Sequence, residues 1–286
     1  MAENSNFYMT KTPLFSVLVA HYNNFAFFPD FYSSVLGQTY QNFEIIIVDD
    51  CSTDESLSQI RTLTANDSRV RIFKNEKNEG VGFTKKKCIE LANGEICGFI
   101  DPDDAVTENA LQLSVQQYKN DTKIVATYSQ LMFCDENLKP VKLFTRTRKI
   151  KNGEKYFFNI NNEVSHFFTF KKEKYALTSG INEELRYAED FDLYLKMYEK
   201  GSFKYISKPL YFYRRHEKGL TQDKNKSKTV HEYWNKVLFD TCFRRGINNI
   251  DGVAVHDNID LAKIVFQREN TVLKKIQRKI NALISG

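Results

Sequence analysis

Short apolar runs alternate with helical patterns through the first hundred residues, and this alternation restricts the possible folds more than any other feature of the sequence. The apolar runs cover residues 15–20, 43–48, 70–73 and 95–100, and the helical patterns cover residues 30–38, 54–63 and 80–92. Residues 45–48 are apolar at every position, as expected of a strand covered on both faces. The alternation therefore predicts an α/β domain with a Rossmann-like, mostly parallel sheet flanked by helices.

The pattern changes after residue 111. A helix is followed by irregular strands and aromatic-rich connections up to residue 170, with a turn at Asp135, Glu136 and Asn137. Residues 189–200 predict a helix, residues 203–206 and 210–214 predict strands, and the chain from about residue 222 is mostly helical. This half therefore extends the same sheet and ends in a helical extension.

Composition excludes several classes of protein. With 42% hydrophobic and 27% charged residues, the chain is typical of a globular enzyme or binding protein. The net charge of +5 is mild and does not require a nucleic-acid partner. The five cysteines are odd in number and lack C-x-x-C spacing, which favours neither a disulfide framework nor a zinc site.

The sequence also predicts a cytoplasmic location. Residues 1–10 lack the basic flank and apolar run of a signal peptide, and no stretch approaches the length of a membrane span. Any membrane contact is therefore expected to be peripheral, at the inner face of the cell membrane.

Polar residues follow three of the predicted strands. They are His21 to Asn24, Asp49 and Asp50, and the acidic turn Asp101-Pro102-Asp103-Asp104. Ligands of open parallel sheets bind outside the carboxyl ends of the strands, so these carboxylates are expected to converge on one crevice. Carboxylate oxygens suit Mg²⁺ or Mn²⁺, which commonly bridge one or two acids to substrate phosphates. Plain capping of a turn or helix is the alternative for each acid.

Several ordered motifs resemble the GT-A glycosyltransferases of family 2 over residues 13–222. The matching stretches are residues 17–23, 36–44, 48–54, 78–80, 92–95, 101–104, 188–193 and 209–216. The resemblance implies a GT-A fold and an inverting transfer of a sugar, usually UDP-linked, to an acceptor hydroxyl, as in bacterial surface polysaccharide or glycolipid synthesis. It divides the chain into a catalytic domain at 1–222 and a helical extension at 223–286. Residues 13–110 form the nucleotide-binding half and 111–222 the acceptor-binding half.

The resemblance also assigns roles to residues of the donor site. Tyr22 is expected to stack on the base, Asp50 to hydrogen-bond the nucleoside, and Asp103 to contact the ribose or sugar. Lys85 belongs to the same nucleotide-binding set and stands, with Lys86, where the family often has Arg-Asn. Because lysine lacks the planar fork of arginine, this change alters the expected contacts.

A second set of roles concerns the reaction. The resemblance makes Asp104 the ligand of a Mn²⁺ or Mg²⁺ cofactor, Asp190 the catalytic base, and His216 a contact of the diphosphate. Asp190 lies at the start of a predicted helix, where the helix dipole favours an ionised carboxylate. Capping of that helix is the alternative role. Cys51 stands where the family most often has glycine.

Aromatic residues of the acceptor half and two histidines are assigned to packing. The pairs at 157–158 and 167–168 and the run at 211–213 are expected to be mainly core, and His166 and His231 are treated as structural. Two other functions stay open. One is a non-catalytic nucleotide-sugar or polysaccharide-binding module, and the other is a nucleotidyltransferase, although residues 20–25 lack its glycine-rich basic loop.

The C-terminal residues predict a basic amphipathic helix. Val272, Leu273, Ile276, Ile280, Leu283 and Ile284 fall within one arc of about 120°, and Lys274, Lys275, Arg278 and Lys279 lie on the other side. Such a helix can lie on an anionic membrane, which suits a lipid-linked saccharide acceptor. Packing on the catalytic domain or in a homodimer is the alternative.

Overall fold

A computed structural model describes residues 12–216 and 227–284. The strands are β1 (Phe15–His21), β2 (Phe43–Asp49), β3 (Val70–Lys74), β4 (Ile96–Phe99), β5 (Ala105–Val106), β6 (Ile124–Cys134), β7 (Pro140–Leu143), β8 (Thr169–Lys171), β9 (Ser202–Arg214), β10 (Asn249–Ile250) and β11 (Val253–Ala254). The helices are α1 (Phe28–Leu36), α2 (Ser56–Thr64), α3 (Val81–Leu91), α4 (Ala110–Asn120), α5 (Lys172–Tyr175), α6 (Glu189–Tyr198), α7 (Ser227–Arg244), α8 (Leu261–Glu269) and α9 (Val272–Ile284). A 3-10 turn at Phe25–Phe27 precedes α1.

Strands β1 to β9 form one mixed sheet. Its strand order is β3-β2-β1-β4-β8-β6-β9-β5, and β7 pairs with β6. The first four strands in this order run parallel, as the sequence predicts. Strand β8 then pairs antiparallel with both β4 and β6, and β6 pairs parallel with β9. The parallel half therefore presents the carboxyl ends of β1, β2 and β4 along one edge, which confirms the predicted α/β class.

Alternating side chains of the parallel strands fill two cores. Val17 and Ile45 pack with α1 on one face of the sheet. Leu18 and Ile46 pack with Ile89 of α3 on the other. Every residue of β2 is buried. Burial on both faces explains why these strands read as continuous apolar runs rather than as alternating ones.

One predicted pair of strands is wrong. Residues 203–206 and 210–214 belong to a single strand, β9. The register on β6 passes from the pair Ser129–Ile206 to the pair Gln130–Pro209, so an irregularity absorbs two residues of β9. Pro209 has no N–H to donate, and a break in regular pairing beside it is typical of proline in a sheet.

The helical extension packs on α6. Phe191 and Leu195 of α6 share a core with Leu238 of α7 and Val265 of α8. The extension is therefore present as predicted, interrupted by the small hairpin of β10 and β11. The predicted boundary between residues 222 and 223 lies outside the described residues. Within the part of the chain that the structure describes, none of the helices combines the length and apolar character needed to cross a bilayer.

Cys51 follows β2 with a φ of 61°, in the left-handed region that glycine adopts without strain. This conformation explains why glycine suits the position. We expect Cys51→Gly to raise the free energy of unfolding by about 0.5 to 1 kcal/mol relative to Cys51→Ala, because only glycine removes the steric cost of a Cβ. Urea denaturation of both variants measures the difference. Equal stabilities would contradict it.

Candidate active site

The turns after β1 and β2 bind each other. The side-chain oxygen of Asn23 accepts the Thr53 N–H at 2.9 Å, and the Ser52 hydroxyl accepts the Asn23 N–H at 2.9 Å. Asp49 accepts the Ser52 N–H at 2.9 Å and lies 3.1 Å from Nδ1 of His21. Burial alone would raise the pKa of Asp49, but the bonds from His21 and Ser52 outweigh it and hold the pKa below its usual value. Asp49 thus joins the turns that follow β1 and β2.

Tyr22 and Asp50 lie in the turns after β1 and β2 and differ in exposure. The Asp50 carboxylate is buried and accepts Nδ2 of Asn75 at 2.8 Å and the N–H groups of Glu79 at 2.9 Å and Gly80 at 2.8 Å. It therefore orders the loop that leads into α3. Tyr22 is 44% exposed, so its ring is accessible for stacking on a planar ligand.

The acidic turn after β4 contains two differently placed carboxylates. Asp104 is buried, and it is held by neutral donors, the Arg214 N–H at 2.8 Å and the Tyr211 hydroxyl. Burial, together with the negative charges of Asp103 and Asp101, raises the pKa of Asp104 well above its usual value. Asp103 is more exposed and lies 2.9 Å from Nε2 of His216. The contacts of Asp104 are therefore neutral donors, whereas Asp103 has a histidine partner.

Arg214 fixes this turn from the end of β9, 110 residues away in sequence from Asp104. Its Nε donates to the backbone carbonyl of Asp103 at 2.6 Å, and its Nη2 donates to Asp30 of α1 at 2.8 Å. The guanidinium lies over the ring of Phe27, 4.6 Å from the centroid. Sequence reasoning missed this role, because the only signal was that Arg214 belongs to the stretch that ends in His216.

Lys85 connects α3 with the start of α6. Its ammonium lies 2.8 Å from Glu189 Oε1, 2.8 Å from Asp190 Oδ1 and 4.0 Å from Asp101 Oδ1. Burial by itself would lower the pKa of Lys85, but the three carboxylates outweigh it and hold the pKa well above its usual value. Lys85 thus places a permanent positive charge among the acids. Its expected contact with the nucleotide stays a prediction.

Asp190 and Glu189 form an acid pair at the start of α6, and the structure shifts their pKa values in opposite directions. Burial by itself would raise the pKa of Asp190, but Lys85 and His166 outweigh burial and hold the pKa below its usual value. Burial dominates for Glu189, whose pKa is raised. The Asp190 side chain remains 25% exposed. It therefore combines a stable negative charge with access to a ligand.

His166 also lies at this site. Its Nε2 is 3.6 Å from Asp190 Oδ2, and its ring stacks on Tyr211 with centroids 4.9 Å apart. Packing on Tyr211 agrees with the structural role expected from the sequence, but the proximity to Asp190 does not follow from any local pattern. The expected burial of the aromatic residues is confirmed for Phe158, Phe167, Phe168 and Tyr211.

The donor set at the acidic turn fits a divalent cation that takes few protein ligands. The described residues contain no group of three or more histidine, cysteine, aspartate and glutamate side chains placed to hold a metal ion. Mg²⁺ and Mn²⁺ sites in phosphoryl-binding enzymes commonly use one or two carboxylates and complete their coordination with substrate oxygens. Asp104, whose buried carboxylate lacks a formal positive partner among the contacts described above, has the character of such a ligand.

Comparison with known proteins decides the family. The family model described as glycosyl transferase family 2 matches residues 16–177. The chain belongs to this family. Membership confirms the resemblance found in the motifs and favours sugar transfer over a nucleotidyltransferase reaction.

Individual relatives agree with this assignment. Chondroitin synthase from Escherichia coli is 30% identical over 209 residues, covering 71% of this chain and 29% of that protein. The Staphylococcus aureus TarS 1–349 structure in complex with UDP-GlcNAc has a TM-score of 0.67 at 21% identity, covering 91% of this chain and 77% of that one. The Pyrobaculum calidifontis mannosyltransferase PcManGT, in complex with GDP-Man and Mn²⁺, has a TM-score of 0.59 at 15% identity, covering 96% of this chain and 81% of that one.

These structural neighbours confirm the GT-A fold of this glycosyltransferase. The chain spans between 20% and 29% of the length of the first three curated relatives it matches. Their complete activities therefore do not transfer to it directly.

Proposed function

We propose that this glycosyltransferase moves a sugar from a UDP-sugar to an acceptor hydroxyl with inversion, in the assembly of a surface polysaccharide or glycolipid. Asp190 carries the proposal. It is an ionised, partly exposed carboxylate. Its partner Lys85 also lies 4.0 Å from Asp101 of the acidic turn. An inverting transfer needs one base that removes the proton of the attacking hydroxyl, and it needs no nucleophile of the enzyme.

Asp190 suits this role because its environment keeps it charged. The Lys85 ammonium at 2.8 Å favours the carboxylate over the acid, so the base is ready at neutral pH. Glu189 binds the same ammonium but is less exposed. Asp190 is therefore the better placed of the two to receive a proton from an acceptor.

The donor site follows the strand ends. Exposed Tyr22 offers a face for the base, and buried Asp50 holds the neighbouring loop while one of its oxygens, Oδ2, accepts a single described hydrogen bond. Asp103 follows the neighbouring strand β4 and lies beside His216. The TarS complex contains UDP-GlcNAc and the PcManGT complex contains GDP-Man, and the family resemblance favours UDP here.

Asp104 is the proposed ligand of Mn²⁺ or Mg²⁺, and His216 is the proposed contact of the diphosphate. Such an ion, when bound, supplies positive charge that stabilises the departing diphosphate. The chain itself positions these groups. Arg214 fixes the acidic turn by bonding Asp103 and Asp30, and the Arg214 N–H orients the Asp104 carboxylate.

Thermal unfolding with a panel of nucleotide sugars tests the donor. We expect UDP-sugars with Mn²⁺ to raise Tm more than GDP-, CMP- or dTDP-sugars, because at equal concentration the ligand that binds the folded state more tightly stabilises it more. Chelation of the metal is expected to remove most of the shift. Greater stabilisation by GDP-sugars would reject the proposed donor class.

Removal of Lys85 is expected to change the pH dependence of turnover. Without the ammonium, burial favours the neutral form of Asp190 and raises its pKa. The base then becomes protonated at a higher pH, so the acid limb of the kcat/KM profile should move to higher pH in Lys85→Met. Lys86→Met is the matched control, because Lys86 pairs with Glu183 on the surface. An unchanged acid limb in Lys85→Met would contradict this account.

A further inference from the structure

Helix α9 carries an apolar stripe that the described protein does not cover. Val272 and Leu273 are 73% and 80% exposed, and Ile276 and Ile280 are each 50% exposed. At 100° per residue these four side chains lie within one arc of about 100°. An apolar stripe of this kind ordinarily faces a protein core, so its exposure requires an explanation.

The opposite side of α9 makes the contacts with the protein. Lys274 Nζ donates to Glu269 at 2.8 Å, and Arg278 donates to the backbone carbonyl of Glu269 and, at 2.8 Å, to the side chain of Asn270. Asn270 in turn donates to Asn161 of the catalytic domain at 2.9 Å. Lys274 and Arg278 lie opposite the apolar stripe on the helix. The helix is thus anchored by its polar side, and its apolar side faces away from the body of the protein.

The charges of α9 indicate which kind of partner covers its apolar stripe. Residues 272–284 contain four basic residues, Lys274, Lys275, Arg278 and Lys279, and no acidic residue. Lys275 lies beside the stripe, so two copies of α9 that met through their apolar stripes would bring like charges close to the contact, which disfavours a second copy of the chain. An anionic lipid surface accepts both features, because its acyl chains receive the apolar stripe and its headgroups attract the lysines.

We propose that α9 docks this glycosyltransferase on an anionic membrane, with Val272, Leu273, Ile276 and Ile280 inserted at the headgroup boundary. Exposed Lys275 contacts the lipid phosphates. The catalytic crevice is held to the membrane through the bonds from Arg278 to Asn270 and from Asn270 to Asn161. This docking is separate from the transfer reaction and does not depend on the donor.

Sedimentation of the full chain with vesicles tests the docking. We expect binding to phosphatidylcholine vesicles that contain phosphatidylglycerol, little binding to phosphatidylcholine alone, and weaker binding as salt increases. The double variant Leu273→Gln with Ile276→Gln should weaken binding by at least about tenfold. Lys275→Gln should weaken it about fivefold. Phe243→Gln is the matched control, because Phe243 is 81% exposed on α7 and its loss should leave binding unchanged.

Three results would overturn the proposal. The first is the absence of wild-type binding to the anionic vesicles. The second is equal binding by the wild type and the double variant. The third is a wild-type dimer in sedimentation velocity that becomes a monomer in the double variant, which would assign the stripe to a second copy. Because the substituted side chains are exposed, the variants are expected to fold, and circular dichroism checks this.

Discussion

Asp190→Asn is expected to lower kcat by about 10²-fold or more while the affinity for the nucleotide sugar stays close to that of the wild type. The amide cannot accept the proton of the attacking hydroxyl, but it retains the size of the carboxylate. Lys85 keeps Glu189 as a partner at 2.8 Å, so the local ion pair survives the substitution. Release of UDP measures kcat, and calorimetric titration measures donor affinity.

Glu189→Gln is the matched control for this variant. It removes one negative charge from the same ammonium but leaves the proposed base in place. We expect its kcat to fall by less than about tenfold. The difference between the kcat losses of Asp190→Asn and Glu189→Gln then measures the contribution of the general base. Equal losses of kcat in the two variants, or a collapse of donor affinity in Asp190→Asn alone, would show that the acids act structurally.

Asp104→Asn is expected to abolish the metal-dependent part of UDP binding and most turnover. The buried carboxylate is the proposed charged ligand, and an amide binds Mg²⁺ or Mn²⁺ far more weakly. The fall in UDP affinity with Mn²⁺ present should be at least about 10²-fold. Calorimetric titration of UDP in the presence of Mn²⁺, and again in the presence of a chelator, measures the metal-dependent and the metal-independent parts of the affinity.

The same substitution should stabilise the metal-free protein. The pKa of Asp104 is raised in the folded state, so its ionised form opposes folding above the unfolded pKa, and this cost grows as pH rises. Replacement by asparagine removes the cost at neutral pH. Asp121→Asn is the control, because Asp121 is an exposed loop aspartate that accepts the Lys123 N–H. Unchanged Mn²⁺-dependent affinity in Asp104→Asn would reject Asp104 as the metal ligand.

The parallel half of the fold follows from local sequence patterns. Residues 43–48 were expected as a strand, and β2 extends only one residue further, to Asp49. Burial on both faces makes such strands apolar at every position, so they are clear in the sequence. Strand β9 was harder, because the irregularity near Pro209 interrupts its pattern while its pairing with β6 continues. The paired residues of β6 lie 77 to 80 positions earlier in sequence.

The candidate site also contains residues that local motifs indicate and residues that only the tertiary structure brings together. The motifs point to Asp104 and Asp190, because each lies in a recognisable turn or helix start. The ammonium that keeps Asp190 charged comes from Lys85, 105 residues away, and Arg214 reaches the acidic turn from 111 residues away. His166 precedes β8 and Asp190 begins α6, and the fold brings their side chains to 3.6 Å from each other. Contacts of this kind need the tertiary structure and leave no spacing signal.

The anomeric configuration of the first sugar released is the most direct test of the proposed reaction. Proton NMR of a UDP-α-sugar with wild-type enzyme, Mn²⁺ and water as the acceptor follows the product before it equilibrates. Activation of the acceptor by Asp190 without an enzyme nucleophile predicts that the β-anomer appears first and that Asp190→Asn slows its appearance. Initial release of the α-anomer would contradict inversion and the role of Asp190 as the base.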